Sequence, residues 1–132
     1  IKVIFISENE CYLKFECEDG IICYESYGDC CSESYFSDIN RIKNIIGQKV
    51  IKTEEVELMP EEYIKKESRQ EEDRIYGFKI HTEKGICLII MRNSSNGYYG
   101  GWCEFINDNS IPEKQKFNEV KNYYSSRDKV KD

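Results

Sequence analysis

The sequence predicts an α+β fold: a mainly antiparallel sheet of about six strands, one central helix over about 35–46, and a C-terminal helix or arm. Three observations predict it. Strict alternation over Cys11 to Glu18 runs into Asp19-Gly20, a strong hairpin signal. An unbroken apolar run from Ile86 to Met91 reads as a strand covered on both faces. Between them, Tyr35, Ile39, Ile42 and Ile46 recur at intervals of four, three and four, which is helical spacing.

Taken in order, Ile1 to Ile6 is short and β-branched and suits a strand. In the next strand Cys11, Leu13, Phe15 and Cys17 share one face. Pairing across a type I′ turn at Asp19-Gly20 puts Ile22 and Tyr24 on the face of Phe15 and Cys17. The helix is expected over Tyr35 to Ile46, with Ser34 or Ser37 as its N-cap and Gly47 as a left-handed C-terminal cap. Strand character returns around Val50, Ile51 and Val56. Residues 58–73 read as a charged insertion. In Ile75 to Thr82, Tyr76, Phe78 and Ile80 share a face, and Glu83-Lys84-Gly85 turns the chain into Ile86 to Met91. Asn93 to Gly97 turns it again, and Tyr98 to Ile106 forms a last strand that Gly100-Gly101 weakens or bulges. Residues 1–110 thus form a single domain. Residues 111–132 are expected as a C-terminal helical arm with a frayed tail, the helix over Glu113 to Tyr124 presenting Phe117, Val120 and Tyr124.

The 132 residues carry a formal charge of -6. Glu54 to Arg74 holds nine acids against four bases and accounts for most of that imbalance. Such a chain has no electrostatic footprint for gripping a phosphate backbone, so general nucleic-acid binding is not expected; the acidic run reads first as a solvated face, with mimicry of nucleic acid or docking on a basic partner as secondary readings. No apolar run has the length of a membrane span and no signal-peptide core appears, so a cytoplasmic protein with no membrane association is expected. The seven cysteines then read as reduced thiols packed as small hydrophobes.

Two polar clusters are candidate sites. Asp29, Cys30, Cys31, Ser32 and Glu33 form the first. Adjacent cysteines do not make the spaced ligand pairs that zinc requires, so no metal is expected there. A nucleophilic cysteine needs a base, and the single histidine, His81, sits on the outer face of a strand. The ordinary reading is a turn whose polar side chains satisfy local amides. The second cluster is Ser95-Asn96-Gly97-Tyr98-Tyr99. Asn-Gly is a turn former, but adjacent tyrosines point to opposite faces, so Tyr98, Tyr99 and Trp102 offer an aromatic binding surface or a subunit contact.

Asp29-Cys30-Cys31, Tyr35, Asp38-Ile39, Ile46-Gly47, Glu54-Glu55-Val56, Thr82, Lys84-Gly85 and Ser95-Asn96-Gly97-Tyr98-Tyr99 keep an order that resembles a family of small uncharacterised proteins of phages and bacterial prophages. Relatives of that kind carry DCCE-like and SNGYYSE-like motifs. The resemblance covers about Cys11 to Ile106. Here Ser32 stands where an acid follows the paired cysteines, and Gly100-Gly101 stands where a small-acidic pair follows the tyrosines. The resemblance implies a phage context and no established activity.

The function expected is a non-enzymatic phage- or prophage-type binding protein in the cytoplasm of a bacterial host. It would antagonise a defence system by binding an effector protein or by sequestering a small nucleotide signal. The binding residues expected are Asn96, Tyr98, Tyr99, Trp102, Arg92, Lys84, Asp29 and Glu33, with Arg92 and Lys84 as phosphate partners beside a stacking tyrosine. No cofactor is expected. One alternative is a thiol-dependent or hydrolytic enzyme using Cys30 or Cys31 with Asp29 and Glu33. Another is a homo-oligomeric interaction module.

Overall fold

Strand pairing organises the chain. The computed structural model describes residues 1–28, 33–58, 72–95 and 101–126. The described residues form ten strands: β1 (Val3–Ser7), β2 (Tyr12–Cys17), β3 (Gly20–Gly28), β4 (Glu33–Asn40), β5 (Lys52–Leu58), β6 (Glu72–Thr82), β7 (Gly85–Ser95), β8 (Gly101–Ile106), β9 (Phe117–Val120) and β10 (Tyr124–Ser125). They pair into two five-stranded antiparallel sheets, ordered β8-β3-β2-β1-β9 and β10-β4-β7-β6-β5. The expected α+β fold of about six strands is therefore corrected to an all-β sandwich. Two 3-10 turns, at Ile42–Asn44 and Asp108–Ser110, connect strands, and no α-helix occupies 35–46 or 113–124.

The central helix expected over 35–46 is replaced by β4 and the first 3-10 turn. A β-bulge between Phe36 and Asp38 puts Phe36 and Ile39 on the same core-facing side although they are three residues apart. Tyr35, on the other face, is fully buried as well. A bulged strand buried on both faces thus reproduces a helical spacing. Its residues, Ser34, Tyr35, Phe36, Ser37, Asp38 and Asn40, are at the same time poor helix formers. Gly47 does adopt a left-handed φ of 76°, but just beyond a 3-10 turn.

The C-terminal helix is corrected too. Val120 pairs with Ile4 and enters the core, while Phe117 pairs with Ser7. Residues three apart in a regular strand face opposite ways. The Phe117 ring accordingly lies on the outer face, where the Lys14 ammonium sits 4.4 Å from its centroid and 5.0 Å from that of Phe5. Tyr124 pairs with Ile39 in the second sheet.

The β2–β3 and β6–β7 hairpins form as expected, the first with its turn one residue earlier, but the turn expected over Asn93 to Gly97 is corrected: Asn93 to Ser95 continue β7, and β8 pairs with β3 of the other sheet. The β2–β3 turn is Glu18-Asp19, with Cys17 paired to Gly20, and only Gly20 takes a positive φ, so the turn is not type I′. Ile22 and Tyr24 still share a face with Phe15 and Cys17. At the β6–β7 tip Gly85, at φ 144°, lies against Asn44: a Cβ there would stand 2.8 Å from the Asn44 amide nitrogen. The Asn44 amide donates to the Ile86 carbonyl at 2.9 Å, and Thr82 Oγ1 donates to the Asn44 carbonyl. The hairpin tip is thereby fastened to the 3-10 turn.

The core lies between the sheets, with Ile4, Ile6, Leu13 and Phe15 from the first against Phe36, Ile39, Ile80, Cys87, Ile89 and Met91 from the second. Three residues carry the chain from β9, at one edge of the first sheet, to β10 at one edge of the second. They close that side of the sandwich. At the other side β8 and β5 are the outermost strands of their sheets, and among the described residues neither pairs further.

Candidate functional site

Between β8 and β5 the sandwich opens into a groove of about 670 Å³. Its floor is aromatic because alternation on β3, β6 and β8 delivers Tyr24, Tyr76, Phe78, Cys103 and Phe105 to the inner faces. The Tyr24 ring is the hub. It meets Phe78 of the other sheet at 5.6 Å between centroids, Phe105 edge-on at 5.9 Å and Phe15 edge-on at 6.3 Å. Phe105 points to the inner face yet is 67% exposed, because the second sheet does not extend over it.

The rim is acidic. Thr53, Glu54, Glu55 and Val56 line the groove in sequence, and among the described residues the lining contains no lysine or arginine. Consecutive strand residues point to opposite faces, so four lining residues in a row mean that the groove follows the backbone edge of β5. Glu54 Oε1 lies 3.1 Å from His81 Nε2, and that hydrogen bond holds the Glu54 carboxyl below its ordinary value. Trp102 forms the opposite rim. Its Nε1 donates to Glu104 at 2.7 Å, and its ring stacks on Tyr27 at 5.9 Å and 17°. Tyr27 donates to Glu25 at 2.7 Å, and that bond, with burial and neighbouring carboxylates adding to it, pushes its phenol up to about 12.

Of the residues expected to bind, Trp102 lies on the groove. Glu33 begins β4, exposed, paired with Ser94. Arg92 is fully buried on the outer face of the second sheet, between Tyr35 of β4 and Ile75 of β6 in register. Lys84 sits in the β6–β7 turn, eight residues along the chain from Arg92, or roughly 26 Å of strand. The structure therefore does not bring Arg92 and Lys84 together. Asp29, Cys30, Cys31, Asn96, Tyr98 and Tyr99 lie outside the described residues. The strands flanking them are neighbours: Gly28 pairs with Gly101, and Glu33 and Glu72 pair with Ser94 and Ser95 of β7. The ends of both motif-bearing connections thus meet at one end of the sandwich.

Sequence reasoning missed Tyr24, Phe78, Phe105, Glu54 and Glu55 as site residues. Alternation placed Tyr24 on an inner face, but nothing local reports where the opposing sheet stops.

Burial pushes the thiols of Cys11, Cys23, Cys87 and Cys103 up, so these cysteines rest protonated and unreactive at neutral pH. Among the described residues no three His, Cys, Asp or Glu side chains gather as a metal site. No described helix is long and apolar enough to cross a membrane. A second, shallower depression of about 530 Å³ lies on the outer face of the second sheet, lined by Asn40, Arg41, Lys79, Ile86 and Leu88.

An uncharacterized protein of Acanthamoeba polyphaga mimivirus is 34% identical over 82 residues, which are 58% of this chain and 60% of that protein. The chain thus spans less than two thirds of this viral relative. No solved structure matches. The model of one protein family matches residues 1–105, most of the sandwich. The chain belongs to that family, described as Domain of unknown function (DUF7448).

Proposed function

We propose that this domain is a non-enzymatic binding protein that holds a segment of a partner protein in the groove between β8 and β5. The observation that carries the reading is Phe105, an inner-face aromatic left 67% exposed beside Tyr24 and Phe78. A concave aromatic surface with a polar rim is the usual make-up of a recognition site. The rim decides between ligand classes: Glu54 and Glu55, with no lysine or arginine among the described lining residues, oppose the phosphates of a nucleotide signal and favour a protein ligand. The relative in a virus and the resemblance to phage and prophage proteins support a setting inside an infected cell. There the domain would antagonise a host defence component by occupying it.

Photo-cross-linking tests this. Benzoylphenylalanine is placed at position 105 in the groove and, separately, at position 86, exposed on the outer face of β7. In host lysate position 105 should give a discrete adduct that excess unlabelled wild-type chain removes and excess Phe105→Glu chain does not. Equal adducts from both positions, or none at 105 that competes, would refute the reading.

A further inference from the structure

The depression on the outer face of the second sheet has the charge that the groove lacks. We infer that it is a mononucleotide site, in which Arg41 and Lys79 hold the phosphate and Leu88 and Ile86 support the base. This site lies on the opposite face of the second sheet from the groove, and its ligand does not depend on what the groove holds.

Strand register assembles it. Asn40 of β4 pairs with Leu88 of β7, and Leu88 pairs in turn with Lys79 of β6, so the three side chains stand in one row across the outer face. Neighbouring strands are about 4.8 Å apart, which puts Asn40 and Lys79 roughly 10 Å from each other. Arg41 follows Asn40 directly. Across that span two long cationic side chains can close on one phosphate, the guanidinium by paired hydrogen bonds and the ammonium as a point charge. Between them the floor is apolar: Leu88 is half-buried, and Ile86, two residues along β7 and so on the same face, is 39% exposed. The Asn40 amide lines the same depression and both donates and accepts, as the edge of an adenine requires.

The backbone at Arg41 adds a second line of support. Its φ of 64° lies in the left-handed region that glycine occupies without strain. Arg41 stands where β4 gives way to the 3-10 turn; its carbonyl accepts from the Asn44 amide at 3.0 Å, but its side chain makes no capping bond. A long side chain held in a strained position without serving the turn points to a role outside the turn.

The surrounding charge suits an anion. Lys52 and His81 share the outer face with Lys79. The acids nearest in register are Glu54 and Asp38. Glu54 is opposite Lys79 and bonds to His81 at 3.1 Å, while Asp38 is buried and accepts from Ser37 Oγ at 2.8 Å. Neither lines the depression.

Backbone amide NMR of the isotope-labelled chain tests this with three probes: adenosine monophosphate, adenosine and inorganic phosphate. Adenosine monophosphate should give saturable shifts centred on Asn40, Arg41, Lys79, Ile86 and Leu88. Adenosine and inorganic phosphate should each bind at least tenfold more weakly. Arg41→Gly removes the guanidinium and relieves the backbone, so it should weaken adenosine monophosphate at least tenfold while the urea midpoint stays level or rises. Lys79→Gln should weaken it at least tenfold as well, and Lys114→Gln, exposed ahead of β9 in the first sheet, should leave it unchanged. Absence of saturable shifts at these residues overturns the site. So does adenosine or inorganic phosphate binding within twofold of adenosine monophosphate, or an affinity within twofold of wild type in Arg41→Gly. The three-probe comparison uses the wild-type chain and decides the matter whether or not a variant folds.

Discussion

Replacing Phe105 with alanine separates a ring exposed for binding from a ring buried for stability. About a third of Phe105 is covered, and its ring contact is with Tyr24, edge-on at 5.9 Å. Full burial of a phenylalanine is worth about 1.5–3 kcal/mol, and one aromatic pair adds about 0.5–1.5 kcal/mol. Phe105→Ala should therefore cost about 1–2 kcal/mol. Phe15 is the internal standard: it is 3% exposed, in the core, and also meets Tyr24 edge-on. Phe15→Ala should cost about 3–5 kcal/mol. Urea denaturation followed by far-ultraviolet circular dichroism measures both, with the slope checked for two-state behaviour. In the same Phe105→Ala protein the cross-link from a groove position such as 53 should disappear. A stability loss for Phe105→Ala as large as that for Phe15→Ala would mean that the ring is core and the groove closed, and the functional reading would fall with it.

Other expectations follow from the same geometry. Gly77 approaches β7 so closely that a Cβ would lie 2.7 Å from the Ile89 carbonyl oxygen, so Gly77→Ala should lower stability by about 1–3 kcal/mol; an unchanged urea midpoint would contradict the close approach. Thr82→Ala removes the bond to the Asn44 carbonyl and the 3.1 Å bond from the Lys84 amide, and should cost about 1–2 kcal/mol and speed amide exchange at the β6–β7 tip. Burial pushes the Cys87 thiol from its ordinary 9.0 up to about 12. Its pKa is raised in the folded chain, so its contribution is fully present below pH 9 and is lost as pH rises toward 12; the alkaline fall in urea midpoint should be shallower in Cys87→Ala.

Much of the sheet was legible where one face is buried and the other is not. The β2 alternation, both tight hairpins and the place of the Ile86 to Met91 run as a central strand between β4 and β6 all follow from local pattern, although two-sided burial holds only over Ile89 to Asn93 and Ile86 is exposed on the outer face. The failure at β4 has a physical cause. Alternation vanishes when both faces are covered, and the bulge near Ser37 shifts Phe36 and Ile39 onto one face at a spacing of three. The C-terminal strands failed for a related reason: Phe117, Val120 and Tyr124 serve an outer face, the core and the second sheet in turn, and their shared spacing is incidental.

The site was legible only at Trp102. Lys84 and Arg92 have the chemistry to hold a phosphate, but the length of β7 separates them and burial removes Arg92 from solvent. What makes the groove is the mismatch between two sheets, closed at the β9–β10 side and open at β8 and β5. That is a property of long-range packing, to which no single stretch of sequence points.

The central claim is that partner chemistry enters at the open β8–β5 edge. A backbone amide NMR titration of the isotope-labelled chain with desalted host lysate tests it most directly. Shifts that saturate and cluster at Thr53 to Val56, Tyr76 to Phe78 and Trp102 to Phe105 are the predicted result. Shifts centred instead on Arg41, Lys79 and Leu88, or along β9 and β10, would contradict it.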